Sequence, residues 1–467
     1  MKRILAAAAA VLLMIPAVST APLTAKALNF TLKNPIQSES AMLINTDTGT
    51  VIHEKNADAK QMPGPLVNIM TAVVVLENWN DLGFEITMTD TVYSDLYETE
   101  YSQDLCFIDI ENGDVLTVSD LLYAMMLTSS VEASQTLAYT VGEGDVKAFV
   151  NMMNTKAEEI GLSDTHFTNP TGMYDENQYT TARDMAKLTE YALKVPLFDT
   201  IASTFAYNPS VPNLDRHPHH DEWIWNHSNT LMDPDSSDYY PGVRGIKTAN
   251  LEAAGRSIVA TASKDGNNYL AVLMRSPLTD ADGNPAYYHI KDAKQLFEWA
   301  FKHFSYTVVL AGTAEMGELP VSLADGHDYV LARPKKEVSM LWCDEIDIST
   351  ISKDDITWYK SSLQAPVKKG EPLGTVTLKY AGEELETVEL VAVTDVKRSA
   401  SKYNIYAASK FPKSAWFKKA IIISSLLCAI YIIMCIYSYV LFKNKGKPVK
   451  PKLAIPKVSE KPKKNKK

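Results

Sequence analysis

Cysteine is nearly missing from these 467 residues: there are four, and two of them, Cys428 and Cys435, fall inside a long apolar run. Cys106 and Cys343 remain, too far apart in sequence to be assigned to each other, so a disulfide framework is excluded. No run of His, Cys, Asp and Glu has the spacing of a metal site. The nearest approach is His217, His219 and His220 beside Asp221, where a solvated loop is the expected role and a weak metal site the alternative. No metal and no cofactor is implied. Positive charge is also scarce away from the two ends of the chain. The formal net charge is −10, and removing a C-terminal tail of about +10 together with Lys2 and Arg3 leaves about −22. A surface that acidic argues against a nucleic-acid partner.

Two apolar runs stand out against that background. Ile4 to Val18 follows Lys2-Arg3 and precedes Ala25-Lys26-Ala27, which together read as a signal peptide over residues 1–27; a second cut is available after Ala21. Ala420 to Phe442 carries no charge over 23 residues. At about 1.5 Å per residue, a helix of that length crosses about 30 Å of hydrocarbon. Trp416, Phe417, Tyr437 and Tyr439 suit its interfaces. Behind it, residues 443–467 hold eleven lysines and one glutamate. Lysine-rich flanks stay cytoplasmic, which predicts a single-pass type I membrane protein with its ectodomain outside. The tail suits contact with anionic inner-leaflet lipid, at about 1 kcal/mol per lysine near the surface, although a plain topology signal is the simpler role.

Between the two runs the pattern predicts an α+β fold. A first domain is expected over 28–305, a smaller β-rich one over 306–401 and a tether over 402–419, ahead of the span at 420–442. Ala41 to Ala57 alternates as an antiparallel hairpin about Asp47-Thr48-Gly49. Helical spacing follows in Val67 to Trp79, Val118 to Tyr139, Val146 to Ile160 closed by Gly161, and Tyr287 to Phe304. Apolar strands are expected around Gly245-Ile246-Lys247, Ser257 to Ala262 and Tyr269 to Met274. Beyond Tyr306, short alternating strands and turn dipeptides such as Lys369-Gly370 and Ala381-Gly382 replace the helical runs.

The stretch from Pro63 to Ala72 reads PGPLVNIMTA and opens the first of these helices. Leu121 to Ala138 reads LLYAMMLTSSVEASQTLA, and Gly242 to Ala249 reads GVRGIKTA. In that order, with the flanking text Met153 to Met173, Tyr179 to Leu188 and Leu251 to Gly266, they resemble the serine-type D-alanyl-D-alanine carboxypeptidases. These are the low-molecular-weight penicillin-binding proteins of peptidase family S11. The resemblance runs from about Phe30 to Phe304. It implies a penicillin-binding-protein/β-lactamase-like domain, an antiparallel sheet with helices plus a helical lobe that carries Ser129. LQAPVKKGEPLGTVTL and VELVAVTDV resemble the family's β-rich C-terminal domain, a stalk or contact surface without chemistry of its own.

All three motifs that the resemblance implies are altered. Where the family has Ser-x-x-Lys, this chain has Pro65 and Asn68. Where it has Ser-x-Asn, Ser129 remains and Val131 stands for the asparagine; where it has Lys-Thr-Gly, Lys247 and Thr248 remain and Ala249 replaces the glycine. A serine needs a base within hydrogen-bond reach to attack a carbonyl, and a lysine at i+3 projects from the same helix face. Proline supplies neither the oxygen nor an N–H for an oxyanion hole, and an asparagine amide takes up no proton. An isopropyl group at 131 cannot hold a substrate amide. On the resemblance, Lys247 and Thr248 would attract the terminal carboxylate of a peptide, and the methyl of Ala249 would crowd a peptide lying along that strand.

Two expectations result. One is a membrane-anchored homologue in the peptidoglycan setting that no longer hydrolyses and binds a stem peptide or a wall-synthesis protein. The other is an active D,D-carboxypeptidase with a displaced nucleophile, Ser129 or Thr71. Thr71 lies six residues beyond position 65, roughly 120° around the helix, which turns it from the cleft. Ser129 has no base nearby in sequence and depends on the approach of Lys247.

Overall fold

In the computed structural model, which describes residues 30, 32–108, 110–209, 217 and 224–445, the chain forms two units. One is Met1–Val309 with Ser339–Thr350, the other Leu310–Val338 with Ile351–Lys467. The signal peptide, the lysine tail beyond 445, and His219, His220 and Asp221 lie outside the described residues.

Five antiparallel strands make the sheet of the first unit: β1 (Ser40–Asn45), β2 (Thr50–Lys55), β3 (Val243–Leu251), β4 (Gly255–Lys264) and β5 (Asn267–Ser276). Their spatial order is β2-β1-β5-β4-β3. The expected hairpin is present, with Ala41 opposite Lys55 and Asn45 opposite Thr50. Every residue of β1 is buried, because both faces of the sheet are covered. Met42, Ile44, Leu270, Val272 and Met274 join a core shared with the helical lobe. Their alternates Ala41, Leu43, Ala271 and Leu273 are as deeply buried on the other face, where the helix Tyr288–His303 packs against β4 and β5.

The lobe is built from α1 (Asn68–Asn78), α2 (Val118–Thr128), α3 (Val131–Val141), α4 (Val146–Ile160) and α5 (Ala182–Ala192). Gly161 closes α4 in the left-handed conformation, at φ 80°, as its position in the sequence suggests. The single helix expected from Val118 to Tyr139 is instead two. Its start is fixed by a capping box, Thr117 Oγ1 accepting from the N–H of Asp120 at 3.0 Å and Asp120 Oδ2 accepting from the N–H of Thr117 at 2.8 Å. It stops at Ser129, which adopts φ 69° and ψ 29°. Ser130 then caps the next helix by accepting from the N–H of Ala133 at 3.1 Å. The apolar periodicity runs through this break, so only the local bonding of two serines reveals it.

In the second unit the strands Ser352–Trp358, Pro372–Tyr380, Glu383–Ala392, Tyr329–Pro334, Gly317–Ser322 and Leu363–Gln364 form a six-stranded sheet in that spatial order. The strands Phe304–Leu310 and Val338–Cys343, which belong to the first unit in all but Leu310 and Val338, pair with each other. The segment expected as a tether is helical: Ala400–Lys410 is followed, after Phe411–Lys413, by the long helix Ala415–Lys445. Its stretch Ala415–Lys443 is long and apolar enough to cross a membrane. Cys106 and Cys343 are both free thiols.

Candidate active-site cleft

Backbone packing, rather than side-chain chemistry, shapes the entrance to α1. Pro65 sits in the first positions of a 3-10 turn, Gly64–Val67, where its fixed φ suits a helix start. Gly64 takes φ +54°. The loop at Thr171-Gly172 presses directly on this turn. A Cβ on Gly172 would lie 2.3 Å from the Gly64 carbonyl oxygen, and Gly172 itself has φ +86°, so only glycine fits there. The contact places Pro65 on the wall of a cleft of about 310 Å³ together with Ser129, Val131, Thr171, Ser228 and Thr248.

Asn68 does not share that wall. It is fully buried, and its Nδ2 donates to the carbonyl of Pro170 at 3.1 Å. Thr71 Oγ1 donates to the same carbonyl at 2.9 Å, which removes Thr71 from the cleft as its helical position suggests. One turn of helix therefore ties down the Pro170 loop where the family resemblance calls for a base.

Ser129 and Lys247 do meet. Lys247 Nζ donates to Ser129 Oγ at 2.5 Å and to the carbonyl of Met126 at 3.1 Å. The lysine has no exposed surface, and burial pushes its ammonium down to about 7. Burial thus favours its neutral amine form. Lys247, expected to attract a carboxylate, aims its ammonium at Ser129, which itself lines the cleft. Thr248 is the member of that pair on the cleft wall, where its Oγ1 lies 2.5 Å from Ser228 Oγ. Ala249 is also corrected. It is 2% exposed, and its methyl packs against the turn at Gly64, 3.7 Å from where a Cβ on that glycine would stand. It crowds the turn, not the cleft.

Several contributors were silent in the sequence reading. Ser228 lines the cleft, and the neighbouring Asn229 donates to the carbonyl of Gly245 at 2.9 Å, joining that segment to β3. Glu132 is buried behind the cleft, accepting from Ser130 Oγ at 2.8 Å and from the N–H of Ile108 at 2.9 Å. Burial pushes its carboxyl up to about 7, those hydrogen bonds opposing the shift. The polar run Trp225 to Asn229, ahead of the Gly242 motif, was the available signal for Ser228. His217 is not in a solvated loop: it is buried, with Nε2 2.8 Å from Asp114 Oδ2. Among the described residues no group of His, Cys, Asp and Glu could hold a metal ion.

Residues 27–277 match the family described as D-alanyl-D-alanine carboxypeptidase, and residues 323–398 match the C-terminal domain of penicillin-binding protein 5. The chain is 28% identical over 363 residues to the D-alanyl-D-alanine carboxypeptidase DacF of Bacillus subtilis, covering 78% of this chain and 87% of that one. It is 30% identical over 257 residues to the D-alanyl-D-alanine carboxypeptidase of Streptomyces sp. strain K15, covering 52% and 82%. Among solved structures, penicillin-binding protein 5 from Haemophilus influenzae superposes with a TM-score of 0.53 at 22% identity over 79% of this chain and 100% of that one, a likeness of fold.

Proposed function

The chain belongs to the serine-type D-alanyl-D-alanine carboxypeptidase family, and from that premise we propose that it is a membrane-anchored member that has lost the family's hydrolysis and keeps its cleft to bind peptides of the peptidoglycan. The supporting observation is Pro65 on the cleft wall at the position of the family's serine. Loss of a catalytic nucleophile costs on the order of a millionfold in turnover, and loss of one oxyanion N–H a further factor of about 100 to 1000. Asn68 supplies no base, because an amide takes up no proton, and its Nδ2 is bound to the Pro170 carbonyl. The test is incubation of the full-length protein in detergent with a fluorescent penicillin, followed by mass spectrometry. No covalent adduct is expected; an adduct would overturn the proposal.

A second reading rests on one contact, the 2.5 Å pair of Ser129 Oγ and Lys247 Nζ, which has the nucleophile–base form of a serine–lysine dyad. It predicts an adduct mapped to Ser129 whose rate rises with pH through about 7, as the lysine loses its proton. Val131 beside Ser129 and the missing N–H at Pro65 weigh against it.

The anchor is the helix Ala415–Lys443, and the lysines behind it assign the ectodomain to the outside. Protease added to intact protoplasts should remove the ectodomain and leave a fragment bearing the tail. An ectodomain protected from the protease would contradict this orientation.

A further inference from the structure

Glu132 is an acid with no exposed surface, one residue beyond Val131 in the first turn of α3. Among the described residues no lysine, arginine or histidine pairs with it. Its two oxygens accept from the N–H of Ile108 at 2.9 Å and from the hydroxyl of Ser130 at 2.8 Å. The first of these bonds comes from a segment that walls the cleft. Gln103, Asp104, Leu105 and Cys106 line that wall. Cys106 lies beside Ser130 in an isolated parallel bridge, and the N–H of Val131 donates to its carbonyl at 3.0 Å. The wall therefore hangs from the start of α3, with the buried acid at the point of attachment. Tyr97 stacks on Phe107 with ring centroids 4.2 Å apart, so the turn ahead of the wall packs on it as well.

The groups that feel the charge of Glu132 are Tyr93, Tyr97 and Cys106. Burial pushes each of them upward, so all three are neutral where a carboxyl titrates. Beyond them, Asp90 acts on both tyrosines, Asp114 on Tyr93 and Lys247 on Cys106. The helices packed against α3 bear Glu77, Asp120, Lys147, Lys156, Glu158 and Glu159. The elevation of the Glu132 carboxyl comes first from burial and not from these, and its hydrogen bonds oppose it without prevailing. Ionised in place, this carboxylate forgoes its hydration; a wall that moves aside restores it. The closed wall thus binds the proton more tightly than the open one. By linkage the proton favours closure, and its loss favours opening.

We infer that Glu132 is a proton-operated latch on the cleft: neutral, it lets the wall from Gln103 to Ile108 seat on the start of α3, and ionised, it drives that wall off. The test is hydrogen–deuterium exchange of the full-length protein in detergent, with wild type and Glu132→Gln compared at equal pH. The glutamine keeps the size of the side chain and stays neutral. Amides of residues 103–108 should exchange less than about fivefold faster in the wild type at about pH 5, and more than about tenfold faster at about pH 8. Equal exchange in the two proteins at pH 8, or the same difference at both pH values, overturns the inference. So does wall exchange no faster than that of β5 at pH 8, which would mean that the wall opens only when the whole unit unfolds. The wild type alone carries the same signature. With the intrinsic pH dependence of exchange divided out, its wall should open more than about tenfold more at pH 8 than at pH 5, and a flat profile would sink the latch. A second readout rests on the reading of the cleft as a peptide site. Affinity for a peptide ending in D-Ala-D-Ala should fall about tenfold from pH 5 to pH 8 in the wild type and less than about threefold in Glu132→Gln. An equal fall in both proteins would assign the effect to another group and overturn the link to the cleft. Absence of binding at both pH values overturns the peptide reading, with the latch still decided by exchange.

Discussion

Two groups of residues meet at the cleft, and they have fared differently. Around Pro65 the reactive atoms are gone, yet the backbone is held closely: Gly172 presses on Gly64, and Asn68 and Thr71 both donate to Pro170. Around Ser129 the reactive atoms remain, 2.5 Å apart, with the lysine stripped of water. A helix start accepts proline readily, so Pro65 is no burden to the fold there. Lys247 has no such freedom, because its removal leaves Ser129 and the Met126 carbonyl without a donor inside the protein. Packing alone is reason enough to keep such a buried group.

The largest effect should come from restoring the depleted side. Pro65→Ser with Asn68→Lys returns nucleophile, base and oxyanion N–H together, and at most slow acylation is expected from a background about a millionfold below a competent site. Adding Val131→Asn should raise D-alanine release by about another 100-fold, since a small misplacement of the carbonyl costs that much, and the gain should exceed additivity. Robust turnover by the double variant alone would show that the Ser129 side is intact for catalysis and would break the comparison.

Next in size is the backbone contact that shapes the Pro65 side. Gly172→Ala sets a methyl 2.3 Å from the Gly64 carbonyl oxygen at a φ of +86°, and a loss of about 3 kcal/mol or more is expected in urea unfolding of the full-length protein. A shift below about 1 kcal/mol would mean that the turn yields easily.

The Ser129 side should show itself through pH. Lys247 is held at about 7 in the folded protein against an ordinary 10.5. The unfolded chain therefore binds the extra proton between those values, and stability rises with pH across that window, by up to about 1.4 kcal/mol per unit. Glu132 is raised from 4.5 to about 7, so its contribution is full below 4.5 and is lost as pH climbs to about 7. Urea unfolding across this range should show stability lowest near neutrality. Lys247→Met should flatten the alkaline limb and Glu132→Gln the acid one. An alkaline limb that survives Lys247→Met would show that this lysine folds charged.

Smallest is Ala249→Gly. Its methyl lies against the Gly64 turn and not in the cleft, so affinity for a peptide ending in D-Ala-D-Ala should change less than about twofold in calorimetric titration. A larger gain would restore the crowding that the sequence suggests.

Much of the molecule was legible in advance. The hairpin about Asp47, the helices ending at Gly161 and His303, and the apolar strands of the sheet all follow periodicities of two or 3.6 residues, which report burial directly. The break at Ser129 was not legible, because an apolar run continues through it while two serines redirect the backbone. Nor was the burial of His217, whose partner Asp114 lies 103 residues away.

The amino-acid sequence by itself determined the family, the apolar span, and the absence of a hydroxyl at position 65 and of an amine at position 68. An absent oxygen or N–H is a property of one residue and no fold can supply it. Tertiary structure alone decided what the surviving residues do. Lys247 and Ser129 are 118 residues apart in the chain. Whether a lysine so placed greets a ligand or turns inward depends on which groups pack around it and how much water they exclude. The inward answer follows from the desolvated pocket formed by α2 and β3, which leaves Ser129 as the group that stands between the lysine and the cleft.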